Sequence, residues 1–231
     1  MAIEAVSESS GSHLADQAQA FKTHEIFVTA GRRDWQLTAL VDRQQYDDPV
    51  GDHAAAGVPP ASWSLFGVMW PSAVTLANLL DAQRDHLQDS SVLELGCGLA
   101  LPSLVLASNN VNVVASDMHP LAANFLEQNC RNNHVPNIPF KQCHWPSPIQ
   151  DSSFAGRARY DWIIGSDLLY ESGQPERLIS QIKLSAEDQT KVMITDPGRG
   201  QLAQFERAMG HLGFSAETGN DDHIRWRRFS R

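Results

Sequence analysis

Cysteine is scarce in this sequence, and the spacing of the few cysteines excludes two common roles. The 231 residues include three cysteines, Cys97, Cys130 and Cys143, with no Cys-x-x-Cys pair. An odd, low count without paired spacing argues against a disulfide framework. No two histidines stand at ligand spacing beside a cysteine or carboxylate cluster. We therefore expect neither a metal site nor a Cys/His nucleophile.

Long hydrophobic runs are also missing. No apolar stretch reaches the roughly 18 residues that a membrane-spanning helix needs, and the first residues do not have the apolar core of a signal peptide. The sequence therefore predicts a cytoplasmic protein with no membrane partner.

Positive charge is in deficit, with 18 basic residues against 27 acidic ones and a formal net charge of -9. This balance gives no global attraction to nucleic acids or to anionic lipids. Basic residues gather in "RWRRFSR" at 225–231, which we interpret as a terminal strand with solvated arginines. The hydrophobic share of 42% suits one globular domain with a substantial core.

The N-terminal quarter divides into two parts. Residues 1–20 are small and polar, which predicts a flexible segment. Residues 21–62 form an extension in which "HEIFVTAGRRDWQLTALVD" has the pattern of a β-hairpin. Its Asp-, Gly- and Pro-rich continuation, "DDPVGDHAAAGVPP", predicts a loop. We expect the main domain to occupy residues 63–231.

From Pro71 onward the pattern is that of an α/β protein. A first helix is predicted over "PSAVTLANLLDAQRDHL", and short Val- and Ile-rich runs then alternate with helical segments. The predicted strands are Ser91–Leu95, Val111–Ser116, Ile138–Gln142, Tyr160–Ser166, Lys191–Thr195, Phe214–Glu217 and His223–Phe229. Helices are expected near 101–109, 119–133, 174–186 and 200–212. This order predicts a parallel sheet with helices on both faces and a C-terminal antiparallel hairpin.

A glycine pair marks the end of the first strand of this sheet, in "VLELGCGLALPSL" at 92–104. In such sheets ligands bind at the carboxyl ends of the strands. Gly96 and Gly98 permit a sharp turn and allow a ligand to approach the backbone closely. The third glycine of a dinucleotide fingerprint is replaced by Leu101. A tight turn without a ligand is the competing interpretation of the pair.

Two carboxylates favour a nucleoside ligand at this turn. Asp117 ends the next strand, about twenty residues further on, where an acidic side chain can accept hydrogen bonds from both ribose hydroxyls. Glu94 precedes the first glycine, and we expect it to face the same crevice. It would repel a pyrophosphate but tolerate an ammonium or a sulfonium. The pattern thus favours an adenosine joined to an amino acid over NAD.

Several motifs resemble those of the seven-strand S-adenosylmethionine-dependent methyltransferases, namely "LELGCG", "ASDMHP" and "DWIIGSDLLYE". The resemblance is closer to the lysine methyltransferase group whose fourth strand ends in Asp-x-x-Tyr or Asp-x-x-Phe, here residues 167–170. "VMWP" at 68–71 and "HWPSP" at 144–148 also resemble that group. "TDPGRG" at 195–200 is similar to the members that act on the β subunit of electron transfer flavoprotein.

The resemblance covers residues 65 to 230, with two departures. Ala100 stands where many members have a third glycine, and Ser166 stands where the closest group usually has alanine. The resemblance implies a Rossmann-like fold, S-adenosylmethionine as cofactor and S-adenosylhomocysteine as product. The cofactor-binding residues that it implies, together with the pattern above, are Trp70, Glu94, Gly96, Gly98, Asp117, Trp145 and Ser166.

Asp167 and Tyr170 are the implied catalytic residues. Asp167 would orient a substrate amine or the amino group of the cofactor, and Tyr170 would hold the amine through its hydroxyl. A surface turn after a buried strand is the competing interpretation of this pair. Core packing is the competing interpretation of Trp70 and Trp145. We interpret His119, before Pro120, as a helix-entry residue and not as a base.

The implied activity is methylation of lysine on a protein substrate by a monomeric enzyme. A small-molecule amine N-methyltransferase and a non-catalytic S-adenosylmethionine-binding module are the competing hypotheses. Methylation of nucleic acid is disfavoured. It would call for a basic face and for an Asn/Asp-Pro-Pro-aromatic motif after the fourth strand, and the sequence has neither.

Overall fold

A seven-stranded sheet forms the centre of the protein, which we describe from a computed structural model that defines residues 22–45, 48, 51–55, 57–147 and 159–231. The segment 1–20, expected to be flexible, lies outside these residues. The strands are β1 Thr23–Ala30, β2 Arg33–Leu40, β3 Ser91–Leu95, β4 Asn112–Asp117, β5 Phe140–Gln142, β6 Tyr160–Ser166, β7 Ala186–Asp196, β8 Ser215–Asp221 and β9 Ile224–Ser230. The α-helices are α1 Asp52–Ala55, α2 Pro71–Ala82, α3 Leu101–Ser108, α4 Ala122–Asn133, α5 Gln174–Ser185 and α6 Gln201–His211. Short 3-10 turns occupy Pro60–Ser62, Leu65–Gly67 and Arg84–His86.

The order of strands across the large sheet is β5-β4-β3-β6-β7-β9-β8. β3 pairs in parallel with β4 and β6, and β6 pairs in parallel with β7. β9 runs antiparallel to both β7 and β8. This arrangement confirms the expected parallel sheet with a C-terminal antiparallel hairpin. The strand order reverses beside β3, which places the glycine turn where ligands bind in such folds.

Helices cover both faces of the sheet because its central strands bury side chains on both sides. In β3, Val92 packs in a cluster with α2, α3 and part of α4, whereas Leu93 and Leu95 pack in a second cluster with α5 and α6. Successive side chains of a strand alternate between faces. The same alternation separates Ile163 from Ile164 in β6.

The N-terminal β-hairpin is confirmed, and it packs against the main domain. β1 and β2 form a separate antiparallel pair joined at Gly31, whose φ is +61°. Trp35 is buried in the cluster that contains α2. Asn129 and Asn133 of α4 accept hydrogen bonds from the free N–H groups of β2, at 2.7 Å from Thr38 and 3.0 Å from Gln36. These contacts cover the open edge of the hairpin.

Some boundaries differ from the sequence-based prediction. β7 begins at Ala186 and not at Lys191, because Ala186 pairs with Tyr160 across a register shift. β8 is longer than predicted. β9 has the predicted length but begins and ends one residue later, because His223 lies in the turn between β8 and β9. α4 begins at Ala122 because the residues after Asp117 form a turn.

No single helix among the described residues has the length and hydropathy of a membrane span. Only the segments Pro60–Gly67 and Pro71–Ala82 taken together, across a 43° bend, reach that length and composition.

Candidate active site

The turn between β3 and α3 is built on residues with left-handed backbone conformations. Gly96 and Gly98 have φ values of +60° and +53°, and Ala100, at the start of α3, has +61°. A Cβ atom on Gly98 would lie 2.9 Å from the backbone oxygen of Phe66, which is too close for any side chain. The turn is fastened to β4 by a 2.9 Å hydrogen bond from the Cys97 N–H to the Ser116 carbonyl. Glycine is therefore required at position 98 both by conformation and by space.

Asp117 lies directly opposite this turn at the carboxyl end of β4. Its Oδ2 accepts the Gly98 N–H at 2.9 Å and its Oδ1 accepts the His119 N–H at 2.9 Å. Burial raises the pKa of Asp117 above its ordinary value, and the N–H groups of His119 and Gly98 partly oppose that rise. A carboxylate oxygen can accept more than one hydrogen bond. Asp117 can thus bind both the turn and a pair of ligand hydroxyls.

Glu94 lies in a different place from the one that we expected. It is fully buried, and it is not among the residues that line the cleft. Its Oε2 accepts hydrogen bonds from the backbone N–H and the hydroxyl of Ser103, at the first turn of α3. The alternation of β3 explains the difference, because Glu94 shares the face of Val92, beneath α3.

The protonation of Glu94 follows from this position. Burial raises its pKa to about 8, although the two hydrogen bonds from Ser103 lower it. Its Oε1 has no hydrogen-bond partner among the described residues. A neutral carboxylic acid therefore supports the glycine turn from below at neutral pH.

Aromatic side chains wall the cleft beside Asp117. The rings of Phe66 and His119 stack with centroids 3.8 Å apart and an interplanar angle of 15°. His119 Nδ1 accepts the Leu121 N–H at 3.2 Å, which confirms its interpretation as a helix-entry residue. Trp70 donates its Nε1–H to the Leu65 carbonyl at 3.0 Å, and Trp145 lies across the cleft close to Gly96.

Phe66 was missed by sequence reasoning. It lies 53 positions before its stacking partner, and no local pattern in "SWSLFGVMW" distinguishes it from its apolar neighbours. Its position next to the "VMWP" motif is the signal that could have identified it. Phe66 lies in the Leu65–Gly67 turn, which directly precedes that motif, and the motif is assigned to the site.

The far end of the cleft is formed by the residues that follow β6. Asp167 has a φ of +58° and donates its N–H to the Thr195 carbonyl at 2.9 Å, which joins the ends of β6 and β7. Its Oδ1 forms an ion pair with Arg199. The non-glycine left-handed conformation turns the chain sharply at this point. Arg199 lies in the "TDPGRG" motif, and sequence reasoning gave it no role.

Tyr170 and Glu171 lie next to the segment that precedes α2. Burial, and then the carboxylates of Glu171 and Asp117, raise the pKa of Tyr170 above its ordinary value, while a hydrogen bond with Ser62 lowers it. The phenol hydroxyl therefore keeps its proton and can donate a hydrogen bond. Ser62 also lies 3.4 Å from a carboxylate oxygen of Glu171. The Pro60–Ser62 turn thus supports the residues after β6.

The glycine turn, Asp117, the aromatic side chains and the residues after β6 line one cleft. Of the sequence-predicted site residues, the cleft brings together Trp70, Gly96, Gly98, Asp117, Trp145, Ser166, Asp167 and Tyr170. Only Glu94 of that set is absent from its walls.

Solved structures of S-adenosylmethionine-dependent methyltransferases share this fold. The 16S rRNA N2 G1207 methyltransferase of T. thermophilus, in complex with AdoMet and guanosine, aligns with a TM-score of 0.62 and 13% identity over 90% of this chain and 50% of that one. The magnesium protoporphyrin IX methyltransferase of Synechocystis, with bound SAM, aligns with a TM-score of 0.51 and 18% identity over 84% and 99%. These solved structures show that the chain has the fold of such methyltransferases.

Sequence comparison assigns the chain more narrowly. The profile of a family described as lysine methyltransferase matches residues 61–204. Protein N-lysine methyltransferase METTL21A of Xenopus tropicalis is 31% identical over 175 residues, which are 70% of this chain and 78% of that protein. The chain belongs to the lysine methyltransferase family.

Two further relatives show how far the similarity extends. Histone-arginine methyltransferase METTL23 of Xenopus laevis is 30% identical over 52% of this chain. The electron transfer flavoprotein beta subunit lysine methyltransferase of the same species is 26% identical over 61% of this chain. The matches span 51% and 54% of these relatives, respectively, so about half the length of each.

The residues of the cleft suit S-adenosylmethionine, the cofactor of this class. The glycine turn presents backbone without side chains, which a ligand can approach closely. Asp117 can accept hydrogen bonds from the ribose hydroxyls. Trp145 and Phe66 offer apolar surface for the adenine ring. The chemistry of this donor set therefore fits an adenosine joined to an amino acid.

Proposed function

We propose that this protein transfers a methyl group from S-adenosylmethionine to the side-chain amine of lysine on a protein. The cofactor, when bound, supplies the methyl group on a sulfonium sulfur and leaves as S-adenosylhomocysteine. In this proposal Gly96, Gly98 and Asp117 hold the cofactor, and Trp70, Trp145 and Ser166 enclose it. Glu94 acts from beneath the turn as a support and not as a direct contact.

The observation that carries the acceptor assignment is the shape of the cleft beyond Ser166. Asp167 and Tyr170 line its inner part, and the exposed residues Glu171 and Arg177 line the same cleft at the surface. A cleft that opens at the protein surface admits a side chain that projects from another protein.

Asp167 and Tyr170 have different roles toward the acceptor amine. A lysine has a reference pKa of about 10.4 and is almost wholly protonated at neutral pH, yet its nitrogen needs a free lone pair to accept a methyl group. Asp167 attracts and orients the amine, and the Tyr170 hydroxyl donates a hydrogen bond that fixes its position. Positioning of the acceptor in this way is a main source of rate in group transfer.

Arginine is the second candidate acceptor, since METTL23 relatives that match half of the chain are named histone-arginine methyltransferases. The test is incubation of the enzyme with tritiated S-adenosylmethionine and a lysate of cells that lack it. This experiment distinguishes transfer to lysine from transfer to arginine or to a small-molecule amine, and also from binding without turnover. Label in methyllysine after acid hydrolysis of the protein fraction supports the proposal.

Label in methylarginine, or only in small molecules, contradicts the lysine assignment. An absence of label with intact S-adenosylhomocysteine binding indicates a binding module. The matched control is Asp167→Ala, which is expected to lose the label while it retains binding of S-adenosylhomocysteine, because Asp167 lies at the acceptor end of the cleft.

A further inference from the structure

An arginine stands where the proposed function calls for a free carboxylate. Asp167 Oδ1 is paired with the guanidinium of Arg199, which follows β7 in the chain. The Asp167 side chain is only 10% exposed, whereas that of Arg199 is 39% exposed. The pair therefore forms at the boundary between the cleft and the surface, with the carboxylate on the inner side.

Arg199 is held in this place by a second carboxylate. Asp196 ends β7, is fully buried, and accepts the backbone N–H groups of Gly198 at 2.7 Å and of Arg199 at 3.1 Å. Its other oxygen lies 3.6 Å from the Arg199 guanidinium. The loop "DPGR" is thus closed by its own first residue, and the arginine is directed at Asp167.

The pairing resolves a conflict in the chemistry of the acceptor. A bare carboxylate beside a lysine ammonium favours the charged form and so opposes loss of the proton. A neutral Asp–Arg pair keeps a carboxylate oxygen available as a hydrogen-bond acceptor but cancels most of its field. The amine is then oriented by Asp167 while its proton is free to pass to water.

We infer that Arg199 is a positioning residue that screens Asp167, so that the carboxylate orients the acceptor amine without stabilising its ammonium form. The inference rests on the proposed function of the cleft. Arg199 acts through Asp167 and is not itself among the residues that line the cleft. Burial lowers the pKa of Arg199, but a guanidinium stays protonated in proteins, so Arg199 keeps its charge.

Other charged and titratable groups lie in the same cleft or at the Arg199 loop, and they are common to the wild type and the variants. From the neighbouring elements these are Asp196, Arg225, Tyr170, Glu171, Arg177, Asp117 and His144. Arg225 packs against Gly198, at the base of the Arg199 loop. A difference between the pH profiles of wild type and an Arg199 variant therefore isolates the effect of Arg199.

The test is the pH profile of methyl transfer in Arg199→Gln. The acceptor is lysate protein from cells that lack the enzyme, with tritiated S-adenosylmethionine, and label in methyllysine is counted between pH 6.5 and 10. Loss of Arg199 leaves Asp167 unscreened, so the bound amine keeps its proton to higher pH. We expect the rise of kcat with pH to shift to higher pH by about one to two units. The rate at pH 7 should fall about ten- to hundredfold.

Three further readouts separate this effect from structural damage. Half-saturation in a dilution series of the lysate should occur at lower acceptor concentration, because an unscreened carboxylate binds an ammonium more tightly. Affinity for S-adenosylhomocysteine, measured by calorimetry, should stay unchanged. Arg199→Lys restores a positive charge without the planar guanidinium. Its rise of kcat with pH should lie between those of the wild type and Arg199→Gln.

The matched control is Arg131→Gln, which removes an exposed ion pair with Glu127 on α4 and should leave the profile unchanged. An Arg199→Gln enzyme that loses rate equally at every pH, or not at all, overturns the inference and leaves the proposed function standing. If wild type places no label in methyllysine, both are overturned.

Discussion

The backbone N–H of Gly98 donates a 2.9 Å hydrogen bond to the carboxylate of Asp117, so that the turn after β3 and the end of β4 form one unit. Gly98 avoids a side chain that would collide with the backbone of Phe66, and Asp117 supplies the acceptor oxygens. The first two predictions test the two halves of this unit.

Asp117→Ala should weaken the binding of S-adenosylhomocysteine. The substitution removes charge-assisted hydrogen bonds to the ribose hydroxyls, worth about 1.5–3 kcal/mol. Calorimetric titration should show a corresponding loss of affinity, about ten- to a hundredfold. Asp117→Asn keeps one acceptor oxygen, so its affinity for S-adenosylhomocysteine should lie between those of the wild type and the alanine variant. Wild-type affinity in both variants would place the cofactor elsewhere.

Gly98→Val should lose cofactor binding and destabilise the fold. The left-handed φ of +53° is costly for a branched residue, and the new Cβ would meet the backbone oxygen of Phe66, which cannot move aside. The control is Gly210→Ala in α6, where an added Cβ meets nothing within 4 Å. It should keep affinity and gain up to about 1 kcal/mol of stability. Equal thermal melting of the two variants would count against this interpretation of the turn.

Tyr170→Phe should separate acceptor handling from cofactor binding. The substitution keeps the ring and removes only the hydroxyl that we assign to the acceptor amine. We expect kcat to fall about tenfold to a hundredfold, roughly 1.4–2.7 kcal/mol, with little change in cofactor affinity. Single-turnover methyl transfer and cofactor titration on the same preparation measure the two effects. Loss of cofactor without loss of rate would move Tyr170 to the cofactor end of the cleft.

Glu94→Gln should flatten the dependence of stability on pH. Burial raises the pKa of Glu94 from 4.5 to about 8, so the folded chain prefers the protonated form. The stabilising contribution is complete below pH 4.5, decreases as the pH rises, and is lost once the pH passes about 8. A glutamine stays neutral throughout and carries no such loss.

The measurement is the melting temperature of wild type and Glu94→Gln at pH 5.5 and pH 9. The melting temperature of the wild type should fall further than that of the variant between these two pH values, by about 2–4 °C for each kcal/mol of lost stability. Glu127→Gln is the control, because the side chain of Glu127 is 57% exposed on the surface of α4. Parallel behaviour of all three proteins would show that Glu94 is ionised in the fold.

Much of the fold follows from local patterns in the sequence. The Val- and Ile-rich runs predicted β3, β4 and β6 closely, since buried parallel strands need continuous apolar residues. The first half of β7, "AEDQT", could not be predicted in this way because it is polar. Its extended form depends on pairing with Tyr160 and on a 2.6 Å hydrogen bond from Thr190 to the Tyr160 carbonyl.

The candidate site likewise contains residues that local sequence patterns predict and residues that they do not. The glycine turn and Asp117 could be predicted because each lies at the carboxyl end of a strand, and the carboxyl ends of parallel strands meet at one edge of the sheet. The alternation of side chains along β3 could have shown that Glu94 faces α3. The Asp167–Arg199 pair and the Phe66–His119 stack join residues that are distant in the chain, and no local periodicity encodes such contacts.

The most direct test of the account is mass spectrometry of lysate proteins after incubation with the enzyme and S-adenosylmethionine that carries a deuterated methyl group. We expect peptides in which a lysine side chain carries the deuterated methyl, present with wild type and absent with Asp167→Ala. Deuterated methyl groups on arginine, or only on small molecules, would contradict it.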